Sequence, residues 1–552
     1  MKKVLSLVLA AAMLLSTVSL GMLFTGAQAA YIPGDVNEDG SVDTADAIYL
    51  LYHVIFGNGS YPLSQNGDFN NDSAVNTDDA IYLLYHVIFG DENYPLPDDQ
   101  RPVDYIQLVP REDFDNAWIT ILCREDKEYE MYTEEDSAAL VDQAVYARNN
   151  RVADLFKVQI ETHPVAGTWE TKDTFIQTLA QSVAAGDDAY QIAATHMAYN
   201  ANLTMQEQYY DLRTLGDAIN LEAPWWSESF NENCTVYDKL FFTTGDLALT
   251  LWEGMYAVYF NRKLATDYGL GDLYQMVRDK EWTIEALTEI TAGLYQDNGD
   301  DVLGPEDTYG LLINRHAMRV FLTTCQLPIC EKTTDGGYKL VLMDEDHIDK
   351  TTTVYDALYD LIYENDGTYD SKLQDGDYTE MNEIFTAGRS LFMTGELRIT
   401  PALRAADMEF GILPFPKYDD EQEEYYAHSY DGLSSFGIPL SAKDPAMCAK
   451  ILDAMGAENK TSVIPAYNEI VLDARVAQDG DSREMLNIIR DNLYFEFGYV
   501  YSVPMAMSGA QGPFALYGDA LRRGSESFIT EWDQYSGSMA TALEGILEKF
   551  DQ

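Results

Sequence analysis

Basic residues are scarce in this chain of 552 residues. Lys and Arg number 35 against 92 Asp and Glu, so the formal net charge is -57. This charge repels phosphate backbones and anionic membrane surfaces, which excludes nucleic acid and acidic lipid as expected partners. One explanation of the acidity is that it keeps the protein soluble outside the cell. A more specific explanation is that some of the carboxylates bind cations or sugar hydroxyls.

Cysteine is also sparse, with five residues, and long apolar runs are missing after residue 30. No later stretch reaches about 20 apolar residues, the length of a membrane span, so we expect no transmembrane span in the mature chain. Only Cys325 and Cys330 lie close together in sequence. Their spacing allows one local disulfide but neither a disulfide framework nor a zinc site.

Residues 1–30 have the pattern of a secretory signal peptide. Two lysines precede an apolar run over residues 4–24, and the small-residue sequence A-Q-A follows at 27–29. This ending favours cleavage over retention as a membrane anchor, so we expect a secreted protein. Since no cysteine lies next to the cleavage site, we expect attachment to the cell by some means other than lipid.

A duplication is the strongest internal signal. The segment DAIYLLYHVIFG occurs unchanged at 46–57 and at 79–90. An oxygen-rich loop precedes each copy, with side-chain oxygens at alternate positions, as a calcium-binding loop requires. The predicted ligands are Asp35, Asn37, Asp39, Asp43 and Asp46 with the carbonyl of Ser41 in the first loop, and Asp68, Asn70, Asp72, Asn76 and Asp79 with the carbonyl of Ala74 in the second. Acidic turns that bind nothing are the alternative, but ligands in register across two copies favour two Ca²⁺ ions.

This loop–helix duplication resembles the type I dockerin domain over residues 31–97. The resemblance implies a small α-helical module that holds two calcium ions and binds a cohesin domain of a scaffold or cell-surface protein. That family usually has Lys or Arg late in its first helix. This sequence instead has Tyr52, His53, Tyr85 and His86, which leaves the choice of cohesin open. A linker over residues 98–103 follows the module.

From residue 104 to residue 552, short apolar runs alternate with amphipathic stretches, as in WITILC, AVYARNNRVADLFKV and YQIAAT. This alternation predicts an open α/β sheet. Ligands of such folds lie at the carboxyl ends of the strands. We therefore expect Thr195, His196 and Tyr199 beside a cleft, although a lone histidine is more often only a satisfied polar residue.

Several segments of this region resemble extracellular solute-binding proteins of sugar ABC transporters (family 1 like). They include APWWSESFNENCTVYDKLFFTTGDLAL, YAVYFNRKLATDYGL, IFTAGRSLFMTGEL and MEFGILPFPKYDDEQEEYYAHSYDGLSSFGIP, in this order. The resemblance implies a type II periplasmic-binding-protein-like α/β fold, whose two lobes close on a ligand by hinge bending. It also implies that the chain crosses between the lobes at Tyr256–Asn261 and returns at Phe410–Pro416.

Aromatic residues favour a sugar as the ligand. Phe, Trp and Tyr make up 12% of the chain, which has 38 tyrosines. Aromatic rings bind the apolar faces of pyranoses, and Asp, Asn and Arg bind the hydroxyl groups. We expect Trp252, Tyr430 and Asp431, near the two crossings, to contact the ligand. Trp225 and Trp226 are expected to pack inside a lobe.

A further oxygen-rich loop, QDNGDDVLGPEDTYGL, resembles the calcium loop found at this place in some members of that family. A third Ca²⁺ would take its ligands from Asn298, Asp300 and Asp307. Gln296 at the first position and Asp301 in place of the turn glycine argue against binding. A solvated turn is the alternative.

The sequence thus predicts a secreted oligosaccharide-binding protein, held outside the cell by a calcium-dependent dockerin–cohesin interaction. It would capture sugars for a sugar ABC permease or for polysaccharide utilisation on a surface scaffold. The alternative is a dockerin-bearing glycoside hydrolase of a cellulosome-like complex, which needs two carboxylates at the scissile bond. No G-x-S-x-G or H-E-x-x-H motif occurs, but a chain with 92 acidic residues always offers such a pair. The resemblance to solute-binding proteins decides between the two functions and implies no catalytic residues and no enzyme activity.

Overall fold

The computed structural model describes most of the chain. The described residues are 34, 36–37, 42–56, 61, 63, 67, 69, 75–89, 94, 103–135, 137–370, 378–406, 408–472, 480–506 and 512–551. They belong to two compact units, one within residues 1–104 and one over residues 105–552. We call these units the module and the body.

Two helices of equal length, α1 (Thr44–Phe56) and α2 (Thr77–Phe89), pack against each other in the module. The core repeats with the sequence, because Leu50 and Leu83 occupy matching positions and are both fully buried. The other buried apolar residues of this core are Val36, Ala47, Phe69 and Ala80. Each repeat therefore contributes half of one small core.

The body combines strands and helices that alternate along the chain. Its strands are β1 (Ala117–Arg124), β2 (Val158–Val165), β3 (Ile192–His196), β4 (Tyr256–Asn261), β5 (Tyr309–Ile313), β6 (Cys330–Lys332), β7 (Tyr338–Leu340), β8 (Thr368–Asp370), β9 (Ser390–Glu396), β10 (Phe410–Leu413) and β11 (Ser434–Gly437). Its α-helices are α3 (Leu140–Phe156), α4 (Lys172–Ala185), α5 (Met197–Met205), α6 (Glu228–Cys234), α7 (Leu249–Glu253), α8 (Arg262–Asp267), α9 (Leu273–Arg278), α10 (Ile284–Thr291), α11 (Arg315–Thr324), α12 (Ile348–Tyr359), α13 (Thr379–Thr386), α14 (Thr400–Ala405), α15 (Pro445–Glu458), α16 (Ile464–Leu472), α17 (Gly480–Asp491), α18 (Phe497–Val500), α19 (Pro513–Arg522) and α20 (Phe528–Asp551). Short 3₁₀ and π turns cover Tyr105–Leu108, Glu125–Glu130, Leu212–Ala218, Asp360–Glu364, Leu397–Ile399 and Asn459–Val463.

The first lobe is built on a four-stranded sheet with the strand order β11-β3-β1-β2. β1 runs parallel to β2 and β3, and β11 runs antiparallel to β3. The consecutive residues Ile121 and Leu122 of β1 point to opposite faces of the sheet and are both fully buried, as expected of a strand covered on both faces. Helix α3 packs on β2, and α15 packs on α3.

The second lobe is built on a five-stranded sheet with the strand order β10-β4-β9-β5-β8. β5 runs parallel to β8 and β9, whereas β4 runs antiparallel to β9 and β10. Helix α13 packs on β9 and α17 packs on β10. Two sheets, each with its own helices, make the body a two-lobed α/β fold, which confirms the fold class predicted for the body.

Three neighbouring segments carry the chain between the lobes. Ser429 forms an antiparallel bridge with Met255, and Ala427 forms a parallel bridge with Leu493. The predicted crossings, Tyr256–Asn261 and Phe410–Pro416, lie differently, because β4 and β10 pair with each other inside the second sheet. The chain crosses just before β4 and well after β10, since strand pairing rather than local sequence determines where a strand joins a sheet.

None of the described helices combines the length and the apolar character that a membrane span requires. The five cysteines are all buried and unpaired. The local disulfide that the spacing of Cys325 and Cys330 allows is therefore not formed.

Candidate ligand-binding cleft

A cavity of about 600 Å³ lies at the carboxyl ends of parallel strands from both sheets. His196 ends β3, Arg315 follows β5, and Arg398 follows β9. A smaller chamber of about 180 Å³ adjoins it at the end of β1. We call the two together the cleft. Its lining includes Arg124, Trp169, His196, Arg315, His316, Arg319, Glu396, Arg398, Tyr430, Asp431 and Asp519.

A row of four rings runs through the cleft from one lobe to the other. The ring centroids of Trp169 and His196 are 6.1 Å apart, those of His196 and Tyr430 are 6.4 Å apart, and those of Tyr430 and His316 are 6.1 Å apart. Trp169 is 42% exposed. The row therefore offers apolar ring surface to a ligand that enters between the lobes.

His196 is fixed by its position at the junction of β3 and α5. Its Nδ1 accepts the backbone N–H of Ala198 at 3.2 Å, and its ring stacks on Tyr199 with centroids 5.1 Å apart. Burial lowers the pKa of His196 well below its usual value, and Arg124 lowers it further. The imidazole is therefore neutral at pH 7, and its Nε2 carries the proton.

Tyr199 anchors the loop that carries Trp169. Its hydroxyl donates a hydrogen bond of 2.7 Å to the carbonyl of Gly167, and its side chain is fully buried. A Cβ at Gly167 would lie 2.8 Å from Cγ of Arg124. The loop therefore approaches the first sheet closely, which places Trp169 over the cleft.

Glu396 and Arg398 form an ion pair at the end of β9. Arg398 Nε lies 2.5 Å from Oε2 of Glu396. The hydroxyls of Tyr256 and Tyr378 donate to Oε1 of the same carboxylate at 3.3 and 3.1 Å. Burial raises the pKa of Glu396, whereas Arg398 lowers it. The guanidinium of Arg398 lies 5.8 Å from the ring centroid of Tyr430, so the pair holds a cation beside the aromatic row.

Arg315 and Arg319 project from the first turns of α11, close to Asp519 of α19. Nη2 of Arg319 lies 3.5 Å from the carboxylate of Asp519, and Nε of Arg315 lies 3.8 Å from it. Asn314 positions this helix, because its side chain accepts the N–H groups of residues 316 and 317 at 3.0 Å. Glycine is required at 518, where a Cβ would lie 2.3 Å from Cγ of Arg319.

Two further polar groups complete the cleft. Burial lowers the pKa of His316 to about 3, and the neighbouring Arg319 and Arg315 act in the same direction. Burial raises the pKa of Asp431, whereas the same two arginines lower it. The cleft thus combines two neutral imidazoles with basic and acidic groups in similar numbers, which suits hydroxyl groups as donors and acceptors.

The six predicted ligand-binding residues fall in three places. His196, Tyr430 and Asp431 line the cleft. Thr195 and Tyr199 lie beneath it and are fully buried, and the Thr195 hydroxyl is 3.3 Å from that of Tyr209. Trp252 lines a different cavity.

The sequence reading did not name Trp169, Arg315, Arg319, Glu396 and Arg398. Arg315, Glu396 and Arg398 could have been found by the rule that selected His196, because Arg315 directly follows the apolar run YGLLIN, Glu396 ends the run SLFMTGE and Arg398 closely follows it. Trp169 lies in a loop four residues after β2 and carries no comparable signal. Its place depends on the packing of that loop against Tyr199.

The module contains part of the predicted calcium ligand set. Asp35, Asp39, Ser41, Asp68, Asn70, Asp72 and Ala74 lie outside the described residues. The described ligands repeat their contacts in part: Asp46 accepts the N–H groups of Asn37 and Asp43 at 3.2 and 2.9 Å, and Asp79 accepts those of Phe69 and Asn76 at 2.8 Å each. Asp43 and Asn76 occupy matching positions, whereas Phe69 lies one position before the counterpart of Asn37. Both carboxylates are fully buried.

The acidic loop before β5 brings together Asp297, Asp300 and Asp307, whose carboxylate oxygens lie within 4.8 Å of one another. Asn298, a predicted ligand, uses its side-chain oxygen to accept the N–H of Asp300 at 2.9 Å. Asp297 therefore lies together with Asp300 and Asp307, which are two of the three predicted ligands. The side chain of the third, Asn298, binds the backbone instead.

No family model matches the sequence. No curated protein matches it either. Among solved structures, a cyclo/maltodextrin-binding protein complexed with maltotetraose is 12% identical, with a TM-score of 0.47 over 79% of this chain and 98% of the other. An ABC substrate-binding protein from Listeria monocytogenes in complex with cycloalternan is 10% identical, with a TM-score of 0.46 over 79% and 100%. A sugar transporter from Rhizobium etli in an open conformation is 14% identical, with a TM-score of 0.48 over 78% and 99%.

Proposed function

We propose that the body is an extracellular carbohydrate-binding protein that holds an oligosaccharide in the cleft without cleaving it. The observation that carries the proposal is the row of rings from Trp169 to His316 between two groups of arginine–carboxylate pairs. Rings suit the apolar faces of pyranoses, and the paired charged groups suit hydroxyls. Because acidic and basic groups balance in the cleft, we expect a neutral rather than a charged sugar.

The test is titration calorimetry of the full chain against neutral oligosaccharides, with product analysis of the same samples. We expect saturable binding of unchanged sugar. Trp169→Ala should weaken binding about tenfold, the magnitude expected for one lost ring contact and its buried area. Trp118→Ala is the matched control, because Trp118 lies in the same lobe, is 54% exposed and does not line the cleft.

These measurements distinguish sugar binding in the cleft from sugar cleavage and from binding elsewhere. Cleaved sugar would replace this proposal with a dockerin-bearing glycoside hydrolase. Equal affinities of the Trp169→Ala and Trp118→Ala proteins would remove the cleft as the binding site.

We further propose that the module is a calcium-dependent dockerin. It would bind a cohesin and thereby attach the protein to an extracellular scaffold. Support comes from the repeated apolar pairs at the ends of α1 and α2. Ile55 and Phe56 are 57% and 58% exposed, and Ile88 and Phe89 are 56% and 55% exposed. Exposed apolar side chains in matched pairs are typical of a binding surface. The buried Asp46 and Asp79 support two calcium ions.

An immobilised cohesin tests this attachment. Binding of the full chain should require Ca²⁺, be lost in EDTA, and be lost in the double variant Ile55→Ser/Ile88→Ser. The control Ile529→Ser changes an isoleucine that is 41% exposed on α20. Binding that persists in EDTA would overturn the calcium requirement. If the protein is found free in the medium although Ca²⁺ and an intact cohesin are present, it is not attached to a scaffold. The proposal that it captures sugar for a nearby permease would then fail as well.

The loop with Asp297, Asp300 and Asp307 is proposed as a third calcium site of lower affinity. Support comes from the three converging carboxylates. Equilibrium dialysis should find one Ca²⁺ fewer per chain in the variant Asp300→Asn. An unchanged number of bound ions would identify the loop as a solvated turn.

A further inference from the structure

A second large cavity, of about 680 Å³, lies away from the cleft. It is lined by side chains that include Trp225, Trp226, Trp252, Lys460 and Arg490, and we call it the rear cavity. The cleft and the rear cavity share no lining residue. Its volume falls in the range of about 300 to 1,000 Å³ that is usual for small-molecule sites.

The segments that cross between the lobes separate the two cavities. In α7, Thr250 and Glu253 line the cleft, whereas Leu251 and Trp252 line the rear cavity. In the return segment, Tyr430 lines the cleft and Tyr426 lines the rear cavity. The rear cavity therefore lies behind the crossing segments.

Both lobes contribute to the rear cavity. Lys460 lies between α15 and α16, which belong to the first lobe, and Arg490 ends α17, which packs on β10 of the second. The guanidinium of Arg490 lies 5.9 Å from the ring centroid of Trp252, so the second lobe contacts the crossing segment here.

The two cations of the rear cavity are already paired. Lys460 Nζ lies 3.1 Å from the carboxylate of Asp246, and Arg490 Nε lies 3.3 Å from that of Asp491. Burial raises the pKa of Asp246 to about 6, whereas Lys460 and the indole of Trp252 lower it. An anionic ligand would have to break one of these pairs, and Glu228 and Glu232 also line the cavity, so the cavity disfavours an anion.

One polar group of the rear cavity has no hydrogen bond of good geometry. The indole of Trp252 lies near enough to Asp246 to lower the pKa of that carboxyl, but its buried Nε1 has no acceptor in hydrogen-bonding geometry among the described residues. By contrast, the indole nitrogens of Trp225 and Trp226 both donate to Asp453, at 2.7 and 2.9 Å. A ligand oxygen in the cavity would give the Trp252 N–H a well-placed acceptor.

We propose that the rear cavity is a second ligand site, for a neutral polyhydroxylated ring compound such as a mono- or disaccharide. The partly exposed rings of Trp252 and Tyr426 face the apolar side of the ring, the Trp252 indole donates to one of its oxygens, and the paired charges contact its hydroxyls. The site is separate from the cleft and does not require the cleft to bind sugar.

The test uses the full chain and three cleft or rear-cavity variants. Glucose, cellobiose, maltose and xylobiose are titrated by calorimetry and followed by tryptophan fluorescence. In the Trp169→Ala protein, where binding in the cleft is about tenfold weaker, the binding event of the rear cavity should keep its affinity. In the Trp252→Ala protein, that event should weaken at least about tenfold, and in Trp252→Phe, which keeps a ring but removes the N–H, it should weaken less.

Circular dichroism checks that each variant folds, and Trp252→Phe replaces Trp252→Ala if the alanine variant unfolds. A binding event that Trp169→Ala leaves unchanged, and that neither Trp252→Ala nor Trp252→Phe weakens, would overturn the proposal. The absence of any binding event in the Trp169→Ala protein would also overturn it. If no sugar binds in the cleft while the event sensitive to Trp252 persists, the proposed function of the cleft fails and the rear site stands.

Discussion

Arg398 owes its orientation to a single carboxylate. Glu396 holds its guanidinium through Nε at 2.5 Å and through Nη2 at 3.2 Å. Lysine cannot reproduce this two-point contact. We therefore expect Arg398→Lys to weaken sugar binding about tenfold in calorimetry, and Arg389→Lys, which changes an arginine paired with Glu306 outside the cleft, to leave it unchanged. Equal losses in both variants would contradict a direct role for Arg398.

Glu496 should make stability depend on pH. Burial raises its pKa from 4.5 to about 7, although the N–H groups of Cys330, Gly498 and Tyr499 lower it. The folded state therefore binds more protons than the unfolded state between pH 4.5 and 7, and stability falls as the pH rises through this window. The contribution is on the order of 3 kcal/mol, because a tenfold change in proton affinity corresponds to about 1.4 kcal/mol.

Chemical denaturation at pH 5 and at pH 7.5 measures this effect. Glu496→Gln is neutral at both values, so its loss of stability across the window should be smaller than that of the unchanged protein. It also loses one of the two N–H bonds from Cys330 and Tyr499, at 2.6 and 2.9 Å, which lowers its stability at pH 5. Equal falls in the two proteins would contradict the prediction.

Single residues of the cleft could be predicted from the sequence only where local rules apply. His196 follows from the rule that ligands lie at the carboxyl ends of strands. The position of Trp252 near the predicted crossing at Tyr256–Asn261 predicts a ligand contact in the cleft, but α7 turns its indole toward the rear cavity. Whether a helical residue faces one side or the other of a short helix depends on packing that the sequence does not specify.

The two helices of the module offer a comparison within one molecule. Leu50 and Leu83 are both fully buried at matching positions, so Leu50→Ala and Leu83→Ala should destabilise the module by similar amounts, about 2 to 5 kcal/mol. Thermal unfolding of the full chain with Ca²⁺ should show a lower first transition in both. Ile55→Ala, at an exposed position of the same helix, should leave that transition unchanged. A large effect of only one leucine would contradict the equivalence of the repeats.

Elements were easier to predict than their pairing. The helices of the module follow from the repeated apolar segment and β1 and β3 from short apolar runs. Nothing in the run YAVYFN shows that β4 pairs with β10 inside the second sheet. Such pairing joins residues about 150 positions apart, whereas propensity and periodicity report only neighbours.

At the scale of the whole molecule, the rear contacts should oppose closure of the cleft. A hinge motion about the crossing segments that narrows the cleft would widen the rear cavity, so we expect the contact of Arg490 with Trp252 at 5.9 Å to stabilise the more open arrangement. Arg490→Ala removes it and should raise the affinity of the cleft about two- to fivefold, as a contact of about 0.5 to 1 kcal/mol implies. Arg278→Ala, which breaks pairs with Asp481 and Glu484 inside the second lobe, serves as the control. Calorimetry with the sugar bound by the cleft measures both variants. If Arg490→Ala lowers the affinity of the cleft for sugar, the contact of Arg490 with Trp252 belongs to the closed arrangement. If the affinity equals that of the Arg278→Ala control, this contact does not affect closure of the cleft.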